Sequence, residues 1–354
     1  EATFNMGERV CAHALTLVIF ALTSLSASAK VNSLPLPQPR PIVGVMTQPI
    51  VPEMNVPADD TYVARINADY VKQIEGAGAR VVPVPHTADI ETLGMLFDSL
   101  NGILFPGGPD ILNGTQYYNA SKYMLDRAIA ANKDGDHFPV WGTCLGFQLL
   151  CVAADGDDVS ILSPVTAENL TLPVFLSPGA NTSKMFGSFP GEAMTFIDSG
   201  EFLMEQFHHF GVSPDTFHQR GLDKMYRILA TNRDRSGVEF ISAIEAHDMP
   251  IYGVQFHPER SLFEWTLSED VAHSRHAVFV AQQFGNLLVG EAVKSKHHFR
   301  TASEEDKALI YNWSRDLHYT QPTHPDSNQY YLFKETPIKQ WAAVLKRGWM
   351  SGEL

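Results

Sequence analysis

The chain has 354 residues, of which 44% are hydrophobic and 19% are charged, and its formal net charge is -14 at pH 7. A chain of this length can bury a sizeable core, either as one large domain or as two smaller ones. The excess of acidic side chains argues against nucleic acid or an anionic membrane surface as a general partner.

The first 29 residues have the pattern of a secretory signal peptide. Arg9 precedes the apolar run 14–22, and the small residues Ala27-Ser28-Ala29 follow as a cleavage site. An apolar run this short is typical of a signal peptide and not of a membrane span. We therefore predict that residues 1–29 are removed, that the mature chain starts near Lys30, and that it has no membrane partner after cleavage.

Glycosylation motifs and cysteine usage agree with entry into the secretory pathway. Predicted sites for N-linked glycans, none with proline at the middle position, are Asn113, Asn119, Asn169, Asn181 and Asn312. Of the 3 cysteines, Cys11 lies in the predicted signal peptide, which leaves Cys144 and Cys151. These two lie on one predicted helix, too far apart to form a disulfide. The mature chain is therefore expected to keep a free thiol, with Cys151 in the core.

From residue 42 onward, short apolar runs alternate with segments of helical periodicity. The apolar runs predict strands at 42–47, 80–85, 102–105, 139–143 and 250–256. The periodic segments predict helices at 61–74, 89–100 and 120–131, the first with Thr61 as its cap. This alternation predicts an α/β fold with a mostly parallel sheet, flavodoxin-like or Rossmann-like, and helices on both faces. Ligands of such sheets bind beyond the carboxyl ends of the strands.

One of these strand ends has the pattern of a nucleophile elbow. The apolar strand passes through Gly142-Thr143-Cys144-Leu145-Gly146 directly into a helical pattern. The sharp turn presents the central side chain in a strained backbone, and the flanking glycines let strand and helix approach closely. At a helix start, the sulfur of Cys144 would face unpaired N–H groups, which favour a thiolate. We predict that Cys144 is a nucleophile. The alternative is a buried cysteine that packs as a small hydrophobic residue.

A diglycine turn ends the preceding strand, at Pro106-Gly107-Gly108-Pro109. By itself this sequence indicates no more than a tight turn. Beside a nucleophile, however, glycines let a backbone N–H point at a developing oxyanion, and the N–H of Leu145 would be its partner.

A third strand ends in His257-Pro258-Glu259. The proline stiffens the exit from the strand, so that the carboxylate of Glu259 can turn back towards the imidazole. Cysteine, histidine and carboxylate are the nucleophile, base and orienting group that a thiol hydrolase needs. A single histidine at a strand end is more often a structural residue, and the hypothesis depends on its occurrence together with the Cys144 elbow.

These motifs resemble those of the class I glutamine amidotransferase superfamily, and within it most closely those of the γ-glutamyl hydrolases. The resemblance spans residues 40–333 and includes 141–146, 254–259, 76–84, 103–108, 239–242 and 297–299. It implies a glutamine amidotransferase-like sheet with an antiparallel β extension. It also implies Cys144 as nucleophile, His257 as proton carrier, Glu259 as third residue, and the amides of Gly108 and Leu145 as oxyanion donors.

The resemblance further implies a lysosomal and secreted glycoprotein, commonly a homodimer, without a metal or an organic cofactor. Its substrate would be the γ-linked polyglutamate tail of a folate or antifolate. We therefore assign residues 30–333 to the catalytic domain. The segment 334–354 extends past the usual end of the family, and we assign it no role.

Three further residues bear on the site. His208 matches a family histidine near the active site and is expected on the substrate side. Gln148 stands where many relatives are expected to have an acidic residue, which places a charge-based role there in doubt. Arg260 is a candidate cation for substrate carboxylates, although a solvated surface arginine is the more common case.

The sequence itself leaves two other functions open. A glutamine amidotransferase subunit would pass ammonia to a synthetase and is expected in the cytosol, which the signal peptide and the sequons oppose. A noncatalytic binding module on the same fold would not need Cys144.

Overall fold

The strands of the predicted sheet form the centre of the molecule. The computed structural model describes residues 39–51, 62–313, 317–319 and 329–351. The predicted signal peptide, Cys11 and the expected helix cap Thr61 lie outside these residues.

The strands are β1 (Ile42–Met46), β2 (Gln48–Pro49), β3 (Tyr62–Asn67), β4 (Arg80–Val84), β5 (Gly102–Phe105), β6 (Val140–Thr143), β7 (Ser163–Leu172), β8 (Phe175–Leu176), β9 (Met204–Gly211), β10 (Tyr226–Arg233), β11 (Glu239–Ala246), β12 (Ile251–Val254), β13 (Leu317–Tyr319) and β14 (Gln329–Lys334). The α-helices are α1 (Ala68–Gly76), α2 (Ile90–Ser99), α3 (Gln116–Lys133), α4 (Leu145–Ala154), α5 (Lys184–Gly187), α6 (Gly191–Asp198), α7 (Pro214–Gln219), α8 (Arg260–Phe263), α9 (Arg275–Ala292), α10 (Ala302–Ala308) and α11 (Glu335–Ser351).

The main sheet has the strand order β4-β1-β5-β6-β12-β11-β10-β8. The strands from β4 to β12 pair in parallel, and β11, β10 and β8 extend the sheet in antiparallel pairing. This arrangement confirms the predicted mostly parallel sheet with its antiparallel extension. The diglycine turn, the elbow and the His-Pro-Glu segment follow the neighbouring strands β5, β6 and β12, so their carboxyl ends meet at one edge.

The sheet is buried on both faces. Along β1, Ile42 and Met46 belong to the core that packs with α2, α3 and α4, whereas Val43 and Val45 belong to the core that packs with α1 and α9. This alternation follows from the two-residue repeat of a strand, and it explains why β1 is a continuous apolar run. The predicted helices on both faces are confirmed.

The helix predicted from Thr61 begins only at Ala68, which corrects the sequence-based boundary. Residues Tyr62–Asn67 form β3, which pairs antiparallel with β14. A pairing partner so distant in the chain overrides local helical periodicity, because packing and pairing outweigh the small intrinsic preferences of these residues.

The next two predicted helices are confirmed, with small shifts at their starts. Asp89 caps α2 by accepting from the N–H of Thr92 at 2.9 Å. The helix predicted from Ala120 starts earlier, at Gln116, because Thr115 caps it by accepting from the N–H of Tyr118.

The segment beyond residue 333 includes the long helix α11. Its Trp341 and Leu345 are 9% and 2% exposed and belong to the core on the α2 side of the sheet. The ring of Trp341 packs edge-on against Trp313 with centroids 4.7 Å apart. This helix therefore contributes to the core of the domain.

None of the helices in the described part of the chain combines the length and the apolar character that a membrane span requires.

Candidate active site

Cys144 lies between β6 and α4, in the turn that the sequence predicts to be an elbow. Its backbone has φ 51° and ψ -103°, a conformation that residues with a side chain rarely adopt and that is concentrated at functional sites. The strained turn is held at both ends, because the N–H of Cys144 donates to the carbonyl of Val254 at 2.8 Å and its carbonyl accepts from the N–H of Gln148 at 2.9 Å. The predicted strand-turn-helix geometry is confirmed.

Both glycines of the elbow are required by close backbone approach. A Cβ at Gly142 would lie 2.5 Å from the carbonyl oxygen of Gly146, and a Cβ at Gly146 would collide with the carbonyl oxygen of Phe105. In both cases the obstructing atoms are backbone atoms of the central strands or of α4, which cannot move away easily. Glycine is therefore the residue that fits at either position.

The diglycine turn lies directly against the elbow and the histidine. A Cβ at Gly107 would lie 2.7 Å from Cε1 of His257 and 3.0 Å from Cβ of Cys144. The imidazole and the thiol side chain therefore flank one point, as the separate strand ends predicted. The N–H of Gly107 donates to the hydroxyl of Tyr70 at 2.8 Å. Of the two glycine amides, that of Gly107 is therefore engaged within the protein.

The amides of Gly108 and Leu145 are differently placed. Leu145 is the first residue of α4, so its N–H has no partner within the helix. In the described part of the chain, neither of these two N–H groups has a protein acceptor. Both N–H groups are therefore left without an acceptor in the described part of the protein.

His257 and Glu259 follow β12 and are 8% and 2% exposed. Nδ1 of His257 lies 2.7 Å from Oε1 of Glu259, as the His-Pro-Glu motif predicted. With Nδ1–H donating to the carboxylate, Nε2 is the nitrogen left to exchange a proton with Cys144. Burial lowers the pKa of His257, but the charges of Glu259 and Cys144 and hydrogen bonding to both outweigh it, so the pKa is raised well above its ordinary value.

Tyr70 is a site residue that the sequence reasoning missed. It lies on α1, is 2% exposed, and its hydroxyl receives the N–H of Gly107. Burial, then the charges of Glu259 and Cys144, raise its pKa well above the ordinary value, so it stays a neutral phenol. In the sequence Tyr70 is one apolar position of an amphipathic helix, and nothing marks it as part of a site.

His208 lies on β9, one residue after Phe207, whose carbonyl is 3.9 Å from Sγ of Cys144. Its own ring is buried. Nδ1 lies 2.8 Å from the carbonyl of Phe210, and Nε2 lies 3.2 Å from the side chain of Gln206. Burial lowers the pKa of His208 to about 3, so the ring is neutral at physiological pH. His208 thus follows a residue whose carbonyl approaches the sulfur of Cys144, but both nitrogens of its own ring face protein groups.

Arg260 corrects both of the sequence-based interpretations. It is 6% exposed, so it is not a solvated surface arginine. Its guanidinium forms ion pairs with Glu205 at 2.8 Å and with Glu264 and Glu269, and it lies over the ring of Phe207. With three carboxylates around it, Arg260 has no charge left for a substrate.

Two other residues from the sequence analysis are buried. The side-chain amide of Gln148 donates to the carbonyl of Phe210 at 2.8 Å, so this position tethers β9 to the elbow helix. Cys151 is fully buried and unpaired, as predicted, and burial raises the pKa of its thiol.

The predicted glycosylation sites differ in accessibility. Exposed positions are Asn113, Asn119, Asn181 and Asn312. Asn169 is half-buried, and its side chain donates to the carbonyl of Ser268 at 3.2 Å and accepts from the N–H of Asp270 at 2.5 Å.

Across the described residues, no group of three or more histidine, cysteine, aspartate or glutamate side chains is arranged to hold a metal ion.

The sequence matches the family described as Peptidase C26 over residues 41–259. Gamma-glutamyl hydrolase B of Dictyostelium discoideum is 35% identical over 328 residues, which cover 92% of this chain and 87% of that protein. Gamma-glutamyl hydrolase of Homo sapiens is 38% identical over 276 residues, which cover 78% of this chain and 85% of that protein.

Among solved structures, the glutaminase domain of Trypanosoma brucei CTPS with bound acivicin is similar with a TM-score of 0.44 and 15% identity. It covers 72% of this chain and 95% of that domain. The family match spans the diglycine turn, the elbow and the His-Pro-Glu segment, and the relatives match over most of their length. This chain belongs to the peptidase C26 family, together with the γ-glutamyl hydrolases that it resembles.

Proposed function

We propose that this chain is a cysteine-type hydrolase of γ-glutamyl bonds, in which Cys144 is the nucleophile and His257 carries the proton. The observation that carries the proposal is the meeting of the thiol, the imidazole and the diglycine backbone at one point of the sheet edge. The family membership supplies the bond: the relatives are named for hydrolysis of γ-glutamyl groups.

In the proposed first step, the thiolate of Cys144 attacks the γ-carbonyl carbon of a glutamyl residue. The negative oxygen that forms is stabilised by the N–H groups of Gly108 and Leu145, which have no other acceptor among the described residues. Nε2–H of His257 protonates the leaving α-amine, and the C–N bond breaks to leave a thioester on Cys144.

In the second step, Nε2 of His257 takes a proton from water, and the hydroxide attacks the thioester carbonyl. The same two amides hold the second tetrahedral oxyanion, and its collapse releases the carboxylic acid and the thiolate. Glu259 keeps the imidazole in the tautomer with Nδ1–H and stabilises its charged form, which both steps require.

We further propose that the substrate is a folate or antifolate with a γ-linked polyglutamate tail. The chain would act as a homodimer in the secretory pathway, reaching the lysosome and the extracellular space. Four of the five predicted glycosylation sites are exposed, which supports carriage of N-linked glycans. The signal-peptide pattern at residues 1–29 supports export.

The decisive experiment compares pteroylpentaglutamate with γ linkages, its α-linked counterpart and free glutamine as substrates of the wild type and of Cys144→Ala. We expect cleavage of the γ-linked compound alone, and a loss of at least about 10³-fold in Cys144→Ala. The matched control is Cys151→Ala, which removes a buried thiol outside the site and should keep the activity per folded molecule.

Preferential hydrolysis of free glutamine would favour a glutaminase instead. A Cys144→Ala variant that keeps a tenth of the wild-type rate would contradict the covalent route. Absence of fast alkylation of Cys144 by iodoacetamide, with no hydrolysis by the wild type, would favour a binding module.

A further inference from the structure

Arg65 is a buried cation without a carboxylate partner. It lies on β3 and is 6% exposed. Its Nε donates to the carbonyl of Pro49 at 3.3 Å and its Nη1 to Oδ1 of Asn67 at 3.2 Å, both uncharged acceptors. Within the described ranges, no carboxylate lies at ion-pair distance from its guanidinium, and burial lowers its pKa. The ring of Tyr330 lies under the guanidinium, with its centroid 5.4 Å away, but it supplies no countercharge. A buried charge without a countercharge is costly, and such charges mark functional sites.

The contrast with Arg260 shows how the same fold neutralises a buried arginine when the charge is structural. Arg260 is equally buried but has three glutamates around it. Arg65 has none at comparable distance, so an anion bound beside it would supply the missing countercharge.

Arg65 is joined to the candidate active site through Gln48. The two residues are direct cross-strand partners on β2 and β3. The carboxamide of Gln48 lies against Gly108, so closely that a Cβ at Gly108 would overlap it. Gln48 is 3% exposed, and its Nε2 has no acceptor at hydrogen-bond distance among the described residues. The carboxamide of Gln48 therefore lies next to Gly108, and the buried guanidinium of Arg65 belongs to the cross-strand neighbour of Gln48.

Two tyrosines relate Gln48 and Arg65 to the diglycine turn. Among the charge effects on the pKa of Arg65, that of Tyr330 is the largest, and smaller ones come from Tyr70 and Tyr117. The hydroxyl of Tyr70 contacts the N–H of Gly107, and the hydroxyl of Tyr117 donates to the carbonyl of Pro106 at 3.4 Å. The guanidinium is therefore within electrostatic range of two residues that support the diglycine turn.

We propose that Arg65, assisted by Gln48, binds the α-carboxylate of the γ-glutamyl residue whose bond is cleaved, and so selects γ-linked over α-linked glutamate. The proposal rests on the proposed function. In a γ-glutamyl group, the α-carboxylate carbon is four bonds from the scissile carbonyl carbon, or about 5 Å when extended. Arg65 is separated from Gly108 by the side chain of Gln48, and this placement suits a carboxylate about 5 Å from the scissile carbonyl. In an α-linked peptide, the free carboxylate has a different position relative to the scissile carbonyl and misses Arg65.

Asp110 is an acidic group whose charge raises the pKa of Arg65. Its Oδ1 accepts from the N–H of Ile111 at 2.8 Å, and burial raises its pKa although the charge of Arg65 lowers it. Asp110 lies beyond ion-pair distance, so a substrate carboxylate that contacts the guanidinium directly has the stronger attraction.

The test compares two substrates that differ at one group. The first is p-aminobenzoyl-Glu-γ-Glu, and the second is the analogue in which the α-carboxylate of the first glutamate is a primary amide. For the wild type, we expect kcat/KM to be about 10- to 100-fold lower on the amide analogue, the usual value of a charged hydrogen bond. Arg65→Gln should lose the same factor on the carboxylate substrate and show no further loss on the amide. Arg65→Lys should lose part of it.

The matched control is Arg127→Gln, which removes a surface arginine that pairs with Asp98 on the outside of α3. It should leave both rates unchanged. Equal losses on both substrates in Arg65→Gln would assign Arg65 to the fold alone, and wild-type rates that do not distinguish the substrates would also overturn the proposal. If Arg65→Gln does not fold, the same comparison on Arg65→Lys decides. A wild type that cleaves neither substrate would instead contradict the proposed function.

Discussion

The carboxylate of Glu259 lies 2.7 Å from Nδ1 of His257, and this contact is buried from solvent. Burial lowers the pKa of His257, and the charge of Glu259 is the largest effect that raises it. Glu259→Gln should therefore lower the pKa of His257. The imidazolium of the variant will then deprotonate at a lower pH than that of the wild type. We expect kcat to fall by about 10²- to 10⁴-fold, because the orienting acceptor is lost.

An NMR titration of the His257 ring, together with the pH dependence of Cys144 alkylation, measures this shift. Glu192→Gln, a change of an exposed glutamate on α6, is the control and should leave both curves in place. An unchanged titration of His257 in Glu259→Gln would show that the carboxylate does not govern the imidazole.

Tyr70→Phe tests the support of the diglycine turn. The substitution removes the acceptor 2.8 Å from the N–H of Gly107 and leaves a buried donor unpaired. We expect a loss of about 1–3 kcal/mol in the free energy of unfolding, and a roughly tenfold loss in kcat from the displaced turn. Urea denaturation and steady-state kinetics measure the two effects. Tyr123→Phe on the outer part of α3 is the control, and equal behaviour of the two variants would exclude a special role for Tyr70.

Gly146→Ala should be strongly destabilising, because its Cβ would overlap the carbonyl oxygen of Phe105 in the neighbouring strand. Overpacking typically costs about 1–3 kcal/mol, and we expect a value near the upper end because a backbone carbonyl cannot move away easily. The same change at Gly290, an exposed position of α9 with no atom near its hypothetical Cβ, should instead stabilise the protein by about 0.5–1 kcal/mol. Chemical denaturation of the pair gives the answer, and a tolerated Gly146→Ala would refute the close approach of elbow and strand.

Glu205 should make the stability of the protein depend on pH. Burial raises its pKa from the ordinary value of 4.5 to about 7, although Arg260 and His257 lower it. Between these two values, the folded protein holds a proton that the unfolded chain has released. Its contribution to the free energy of unfolding is therefore fully present below pH 4.5 and is lost as pH rises towards 7.

Glu205→Gln removes this contribution. The stability of the variant relative to the wild type should rise between about pH 5 and about pH 7.5, as measured by urea denaturation at both values. A constant difference between the two proteins at both pH values would contradict the raised pKa of Glu205.

The features that the sequence predicted correctly are local ones. The elbow at Cys144 and the turn back of Glu259 towards His257 depend on a few consecutive residues, whose glycines and proline restrict the backbone. Their meeting could be predicted as well, because the carboxyl ends of adjacent parallel strands share an edge of the sheet. The family and the class of reaction were predicted from the same motifs, and the comparisons confirm both.

The remaining features depend on contacts between segments that are distant in the chain. Tyr62–Asn67 becomes a strand because Gln329–Lys334 pairs with it, and this strand places Arg65 opposite Gln48 of β2. Arg260 has its own glutamates from β9 and from the segment that follows α8. Neither the pairing of β3 with β14 nor the ion pairs of Arg260 could be predicted from the neighbouring sequence. Periodicity and motif spacing do not show which distant residues come into contact.

The group formed by Arg260 with Glu205, Glu264 and Glu269 restricts how this protein can change. Replacing the arginine alone would strand three acids in the interior, and replacing a single acid would shift the balance of the others. Replacements that remove the charge of Arg260, Glu264 or Glu269 are therefore acceptable only in compensating sets. A redesign of the region behind Phe207 must exchange these three charged residues together, and a library that varies one of the three at a time will recover little but the parent sequence.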